Sequence, residues 1–239
     1  MSVPSTPPPG FLESCGAMGV ALSEQKLELL SRYLDELLRV NELFNLTAVR
    51  QHDEAWTRHV LDSLSLVPHL KGVGSVIDVG SGGGLPGIPL AIVCEEVRVV
   101  LVEATGKKAR FLKDAVESLG LRGVEVIHDR AESVGHIPQH RERYDAATGR
   151  AIGRLREMLE YTLPLVRVGG RVLAMKGRKT EQELREAGDA LHLLGGGRVE
   201  VFDALQETES GAVIVEVWKE RSTPGRYPRL PGTPRHDPL

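Results

Sequence analysis

Cysteine is scarce in this 239-residue chain, with only Cys15 and Cys94 present. Two thiols so far apart in sequence exclude a disulfide scaffold and fit a reducing compartment. Aromatic residues are few as well, at 4%, so the core must be built from Leu, Val, Ile and Ala. No apolar run approaches the roughly 18–20 residues that span a bilayer; Ile88 to Cys94 is among the longest. The first ten residues hold four prolines and lack both the basic start and the apolar stretch of a signal peptide. A cytoplasmic protein with no membrane partner is expected. Neither sign of charge dominates: the net charge is −3, which excludes a general polyanion binder. A nucleic-acid partner must then be met by local patches. One such stretch is Lys219 to Leu239, where Lys219, Arg221, Arg226, Arg229 and Arg235 face only Glu220 and Asp237. The histidines show no metal-ligand spacing with either cysteine, and no metal is expected.

What is present is periodic. Leu27, Leu30, Leu34, Leu37 and Leu38 recur at three- and four-residue steps, which predicts an amphipathic helix over Ser23 to Phe44. A second helix is predicted from about Asp53 to Leu66, with Trp56, Val60, Leu61 and Leu64 on its apolar face. From Val73 onward, short apolar runs alternate with helical stretches. Strands are expected at Ser75–Val79, Val97–Glu103, Val124–His128, Tyr144–Thr148, Arg171–Lys176, Arg198–Phe202 and Val213–Lys219. The intervening helices are Pro86–Cys94, Gly106–Leu119, Ala131–Val134, Leu155–Leu163 and Thr180–Leu193. This alternation predicts a doubly wound, mostly parallel α/β sheet. The short link between the last two strands suits an antiparallel hairpin. Four regions follow: a disordered leader (1–20), a helical extension (21–72), an α/β domain (73–219) and a basic, proline-rich tail (220–239).

The most informative segment is Asp78-Val79-Gly80-Ser81-Gly82-Gly83-Gly84-Leu85-Pro86-Gly87, between the first sheet strand and a helix. Such a loop lets backbone approach a ligand closely. Counted from Gly82 it satisfies the dinucleotide fingerprint, so the pattern alone does not choose a cofactor. Its surroundings favour S-adenosylmethionine. Asp78 ends the strand where a carboxylate would repel a pyrophosphate and attract an ammonium. Glu103 ends the next strand, the usual place for a carboxylate that accepts from ribose hydroxyls. Asp129-Arg130-Ala131-Glu132 ends the third strand at the same edge.

Several stretches together resemble the bacterial small-subunit rRNA guanine-N7 methyltransferase family, historically called glucose-inhibited division protein B. They are Asn45-Leu46-Thr47-Ala48-Val49-Arg50, Arg58-His59-x-x-Asp62-Ser63, the glycine loop, Lys107-Lys108, Arg130-Ala131-Glu132, Gly149-Arg150-Ala151, Met175-Lys176-Gly177 and Tyr227-Pro228-Arg229-x-Pro231-Gly232-x-Pro234. The resemblance implies a class I, Rossmann-like methyltransferase fold: a mostly parallel seven-stranded sheet with an antiparallel last strand, plus an N-terminal helical extension. It implies methylation of N7 of one guanosine in 16S rRNA, with the small ribosomal subunit as partner and a monomeric enzyme. Carried over by motif, cofactor contacts fall at Gly80, Gly82, Leu85, Glu103, Ala104, Thr105, Ala131, Glu132 and Arg150. Arg58, His59, Asp62 and Lys176 are candidates for holding the substrate. His59 and Asp62 have a structural alternative, as a brace between helices and sheet. No catalytic acid or base is nominated, because guanine N7 carries a lone pair and no proton. Further candidates for RNA contact are Lys107, Lys108, Arg110, Arg167, Arg171, Arg178, Lys179 and the tail arginines, while Trp56 and Trp218 are expected in the core. The competing readings are a methyltransferase acting on another RNA and a non-catalytic assembly factor that binds cofactor and rRNA.

Overall fold

The computed structural model describes residues 5–204 and 212–239. The leading residues form helix α1 (Phe11–Ala17), followed by α2 (Glu24–Asn41), α3 (His52–Ala55) and α4 (Asp62–Leu64). Seven strands follow: β1 (Ser75–Val79), β2 (Arg98–Val102), β3 (Val124–Ile127), β4 (Tyr144–Arg150), β5 (Val166–Lys176), β6 (Gly196–Asp203) and β7 (Val213–Lys219). Between and after them lie α5 (Gly87–Val93), α6 (Gly106–Ser118), α7 (Ala131–Val134), α8 (Leu155–Thr162), α9 (Thr180–Glu186), α10 (Gly188–Leu194) and α11 (Thr233–His236). The strand order is β3-β2-β1-β4-β5-β7-β6. β7 runs antiparallel to both β5 and β6, while the other neighbours pair in parallel. The expected hairpin is present as a strand pair; its connection, 205–211, lies outside the described residues.

Alternation along each strand divides the core in two, because successive side chains point to opposite faces. Val76, Val99 and Leu101 join one cluster with α1, α2, α5 and α6. Ile77, Val100 and Val102 join the other, with α8, α10 and Tyr227 of the tail. α2 starts where Ser23 Oγ accepts from the Lys26 N–H (3.2 Å), an N-cap that supplies one missing helical partner. Its stripe of Leu30, Tyr33, Leu34 and Leu37 is fully buried against the sheet side.

Three sequence expectations need correction. The leader is not disordered over its whole length: residues 11–17 are helical, and Phe11 and Cys15 are buried. The Phe11 ring stands edge-on to Trp56 at 5.0 Å. An apolar i, i+4 pair just beyond the prolines is enough to dock one short helix. The second predicted helix forms, but Trp56–Leu61 winds as a π-helix between α3 and α4. Such segments recur at functional sites. The helix predicted over Thr180–Leu193 breaks into α9 and α10 at Ala187.

Candidate functional site

In an open parallel sheet, ligands bind beyond the carboxyl ends of the strands where the strand order reverses. Here that point is β1, flanked by β2 on one side and β4 on the other. The glycine loop leaves β1 at this edge. The Gly80 and Ser81 N–H groups donate to the Val102 carbonyl (2.9 and 3.1 Å), which bends the loop across the end of β2. Gly80 has φ +67°, and a Cβ there would collide with Ile152. Gly87 is equally constrained: a Cβ would press on Leu101 and come within 2.8 Å of Asp78 Oδ2.

A cavity of about 540 Å³ opens over this loop, within the usual size of small-molecule sites. Its wall includes Gly80, Gly82, Glu103, Ala104, Ala131 and Glu132, so six of the nine predicted cofactor residues converge on it. Glu103 is central: it is buried, one oxygen accepts from Gly82 N–H (2.9 Å) and the other from Thr105 N–H (2.7 Å). It thereby ties the glycine loop to the turn after β2 and keeps lone pairs for a ligand.

The remaining three predictions go elsewhere. Leu85 is a buried member of the apolar cluster, and Thr105 contributes its N–H to Glu103; neither lines the cavity. Arg150 turns away from the cavity toward the helical extension. Its Nη1 donates to the Arg58 carbonyl (2.8 Å), and its Nη2 lies 3.3 Å from His59 Nδ1.

That contact gathers the candidate substrate residues into a second cluster. His59 is buried; its Nε2 is 2.7 Å from Thr47 Oγ1 and its Nδ1 3.0 Å from the Arg58 carbonyl. Burial and the nearby Arg150 charge lower its pKa to about 4, so the ring is neutral at pH 7. Both ring nitrogens of His59 are engaged within the chain, as a brace between helices and sheet requires. Asp62 differs. Its carboxylate makes no hydrogen bond among the described residues, and burial raises its pKa to about 6 against the opposing pull of Arg150 and Arg58. Asp78 lies under the same corner: Oδ2 accepts from Gly87 N–H (3.1 Å), Oδ1 is buried without a partner among the described residues, and burial raises its pKa to about 7. Arg58 points outward and pairs with Glu54.

Lys176 does not join this cluster. It pairs with Glu183 at 2.6 Å and donates to the Gly153 carbonyl at 2.9 Å, fixing the loop after β4. Several predicted RNA contacts are also occupied within the chain. Arg171 donates to the His69 carbonyl and lies over the half-buried Trp218 ring, Arg167 pairs with Asp145, and Arg229 pairs with Glu160. Trp56 is fully buried, as the pattern predicts. Lys107 and Arg110 remain exposed on α6.

Sequence reasoning missed Tyr33, whose buried hydroxyl donates to the Gly83 carbonyl (2.7 Å) and ties α2 to the glycine loop. Its place in the leucine stripe was the available signal. It also missed Ile152, Tyr161 and Arg235 as cavity residues. A larger cleft, about 910 Å³, lies between α2 and α6, but its charges include internal pairs, Arg39 with Glu36 and His52 with Asp35. No cluster of potential metal ligands occurs among the described residues. Nor is any described helix long and apolar enough to cross a membrane.

Comparison with known proteins agrees with this geometry. The family described as rRNA small subunit methyltransferase G matches residues 26–210. The chain is 46% identical over 237 residues to Ribosomal RNA small subunit methyltransferase G of Rubrobacter xylanophilus, covering 96% of this chain and 90% of that one. It is 44% identical over 230 residues to the protein of the same name from Chloroflexus aggregans, covering 96% and 97%. Among solved structures, the O-methyltransferase from Bacillus cereus in complex with SAH (S-adenosylhomocysteine) aligns with a TM-score of 0.55 at 23% identity, over 79% of this chain and 91% of that one. The last likeness is one of fold, a class I methyltransferase sheet; the sequence matches go further, and the chain belongs to the rRNA small subunit methyltransferase G family.

Proposed function

We propose that this protein transfers a methyl group from S-adenosylmethionine to N7 of one guanosine in the 16S rRNA of the small ribosomal subunit. The observation that carries the reading is the cavity at the β1 switch point, with Glu103 spanning the glycine loop and the turn after β2. The residues fit this cofactor. A Cβ on Gly82 would meet only the Gly80 carbonyl, at 3.8 Å, so the glycine leaves free space on the cavity wall. Glu103 is placed for ribose hydroxyls, and the unpartnered Asp78 Oδ1 adds an acceptor beneath the loop. S-adenosylmethionine supplies an electrophilic methyl group on a sulfonium.

The chain's own part is positioning. N7 offers an in-plane lone pair and no proton, so no side chain has to remove one. A near-attack arrangement alone supplies roughly 7–11 kcal/mol in favourable cases. His59 and Arg150 brace the corner between α3, the π-helix and β4, and Asp62 presents its unpaired carboxylate there. Guanine's Watson–Crick edge carries N1–H and N2–H donors on the side opposite N7, and Asp62 is the acceptor that reads them. Lys107 and Arg110 are placed for RNA phosphates, and each phosphate neutralised steepens the salt dependence of binding.

The test is methyl transfer from labelled S-adenosylmethionine to small subunits, and to stripped 16S rRNA, from a strain lacking the enzyme. Nucleoside mass spectrometry should find one 7-methylguanosine per subunit. Cofactor binding without label transfer would move the assignment to an assembly factor or to another RNA.

A further inference from the structure

The tail arginines were candidates for RNA contact, yet the tail does not stand free of its own domain. It wraps. Arg141 donates to the carbonyls of Gly135, Thr223, Pro224 and Tyr227, which fixes the start of the strap. Tyr227 is buried in the sheet-side core. Arg229 then grips Glu160, itself fully buried, through Nε (2.8 Å), Nη2 (2.7 Å) and its backbone N–H (2.9 Å). Gly232 N–H closes on Glu132 Oε1 at 2.8 Å, the same oxygen that takes Arg130 at 3.0 Å. Glu132, predicted as a cofactor contact, therefore serves as a clasp in the cavity wall.

Three residues beyond this clasp, Arg235 of α11 lines the cavity. It is exposed, and its guanidinium has no partner among the described residues. Pro234 beside it is buried, so the backbone that carries it is held. The wall it shares includes Asp129, Arg130 and Glu132, which follow β3, and Gly232, three residues before it, is bonded to Glu132; Asp78 and Arg150 are not part of that wall.

We propose that Arg235 is a cofactor-binding residue that contacts the nucleoside half of S-adenosylmethionine, and that the strap, clasped on Glu132 and Glu160, holds it in place. The proposal rests on the methyl-donor reading above. Its direction comes from charge and position. The cofactor's only anionic group is the carboxylate of its amino-acid end. Glu103 and the turn after β3 mark the opposite, nucleoside end, where the ligand is neutral and planar. A guanidinium suits that surface, because it is planar, weakly hydrated and stacks on aromatic faces. An ammonium is strongly hydrated and not planar, so lysine is a poor substitute here.

The experiment is calorimetric titration of the full chain with S-adenosylhomocysteine and with 5′-methylthioadenosine, which keeps the nucleoside and lacks the amino acid. R235A is expected to weaken both ligands by about the same factor, near tenfold, with an unchanged melting temperature because the Arg235 side chain makes no bond among the described residues. R235K is expected to resemble R235A. Affinity for S-adenosylhomocysteine within twofold of wild type would overturn the assignment. So would a loss confined to S-adenosylhomocysteine, which would put the guanidinium on the carboxylate. Failure of the wild-type chain to bind either ligand would instead sink the methyl-donor reading, and this assignment with it.

Discussion

The two flanks of the crevice treat buried carboxylates in opposite ways. On the tail side, Glu160 receives three hydrogen bonds from Arg229, and Glu132 receives one each from Arg130 and Gly232. Glu142 likewise accepts from Lys219 and from the Thr223 N–H, and these contacts hold its pKa below the usual carboxylate range despite partial burial. On the side of the helical extension, the half-buried Asp62 and the fully buried Asp78 have fewer partners among the described residues than they can use, and both pKa values rise, to about 6 and about 7. Satisfied charges make a rigid wall. Unsatisfied ones cost stability and are found where a ligand completes them. The contrast separates a flank built to hold the site from a flank built to receive something.

The largest expected effect lies on the satisfied flank. Removing the Arg229 side chain leaves the fully buried Glu160 carboxyl with only the main-chain N–H of residue 229, and breaking such a buried pair costs about 3–5 kcal/mol. R229A should lower the urea midpoint accordingly, with an unchanged slope if the fold stays two-state. Replacing both partners by apolar residues, R229M with E160L, should recover most of that loss, since the desolvation cost disappears along with the attraction. A loss under 1 kcal/mol for R229A would show that the strap is loosely held and would erase the contrast.

None of that clasp was readable from the sequence. Arg229 and Glu160 are 69 residues apart, and periodicity reports only which face of one element is covered. The strands were legible for this reason: runs such as Arg98–Val102 are apolar at four of five positions because helices cover both faces. The glycine loop and Glu103 were legible because the chemistry of close backbone approach demands them at that spacing. β5 was not fully legible. It begins at Val166, but Gly169 and Gly170 interrupt the pattern, and the register with β4 shifts between Tyr144 and Ala146. The cationic residues were least legible. Arg167, Arg171 and Lys176 look like an RNA surface in sequence and are consumed by Asp145, Glu216 and Glu183 in three dimensions.

On the unsatisfied flank the next effect is one of stability against pH. Asp78 has its folded pKa raised to about 7 from 3.8, so the folded state holds a proton that the unfolded chain releases. Stability from this group is fully present below pH 4 and is lost as pH rises to about 7, the reverse of a salt-bridged carboxylate. At about 1.4 kcal/mol per pKa unit the span is at most roughly 4 kcal/mol. D78N keeps an acceptor for the Gly87 N–H and carries no charge. The difference in unfolding free energy between D78N and wild type should therefore grow in favour of the variant from pH 4 to pH 7, then level off. Parallel curves would mean that Asp78 is compensated after all.

The smallest effect is the one closest to the chemistry. Asp62 has a pKa raised to about 6 by burial, so it is mostly ionised at pH 7 and can accept from guanine's N1–H and N2–H. Protonation below pH 6 converts one acceptor oxygen into a donor facing those donors. KM for the ribosomal substrate should rise as pH falls through 6, while the affinity for S-adenosylhomocysteine stays level. D62N makes the same change permanently: an amide offers one oxygen and one donor. KM should rise about tenfold at pH 7.5, equivalent to roughly 1.4 kcal/mol, and its dependence on pH around 6 should vanish. The paired readout matters because Asp62 lies near Arg150 and Arg58, and a merely structural role would disturb folding without abolishing the pH step. Full turnover by D62N at subsaturating substrate would remove Asp62 from the guanine site and leave its unpaired carboxylate without a function.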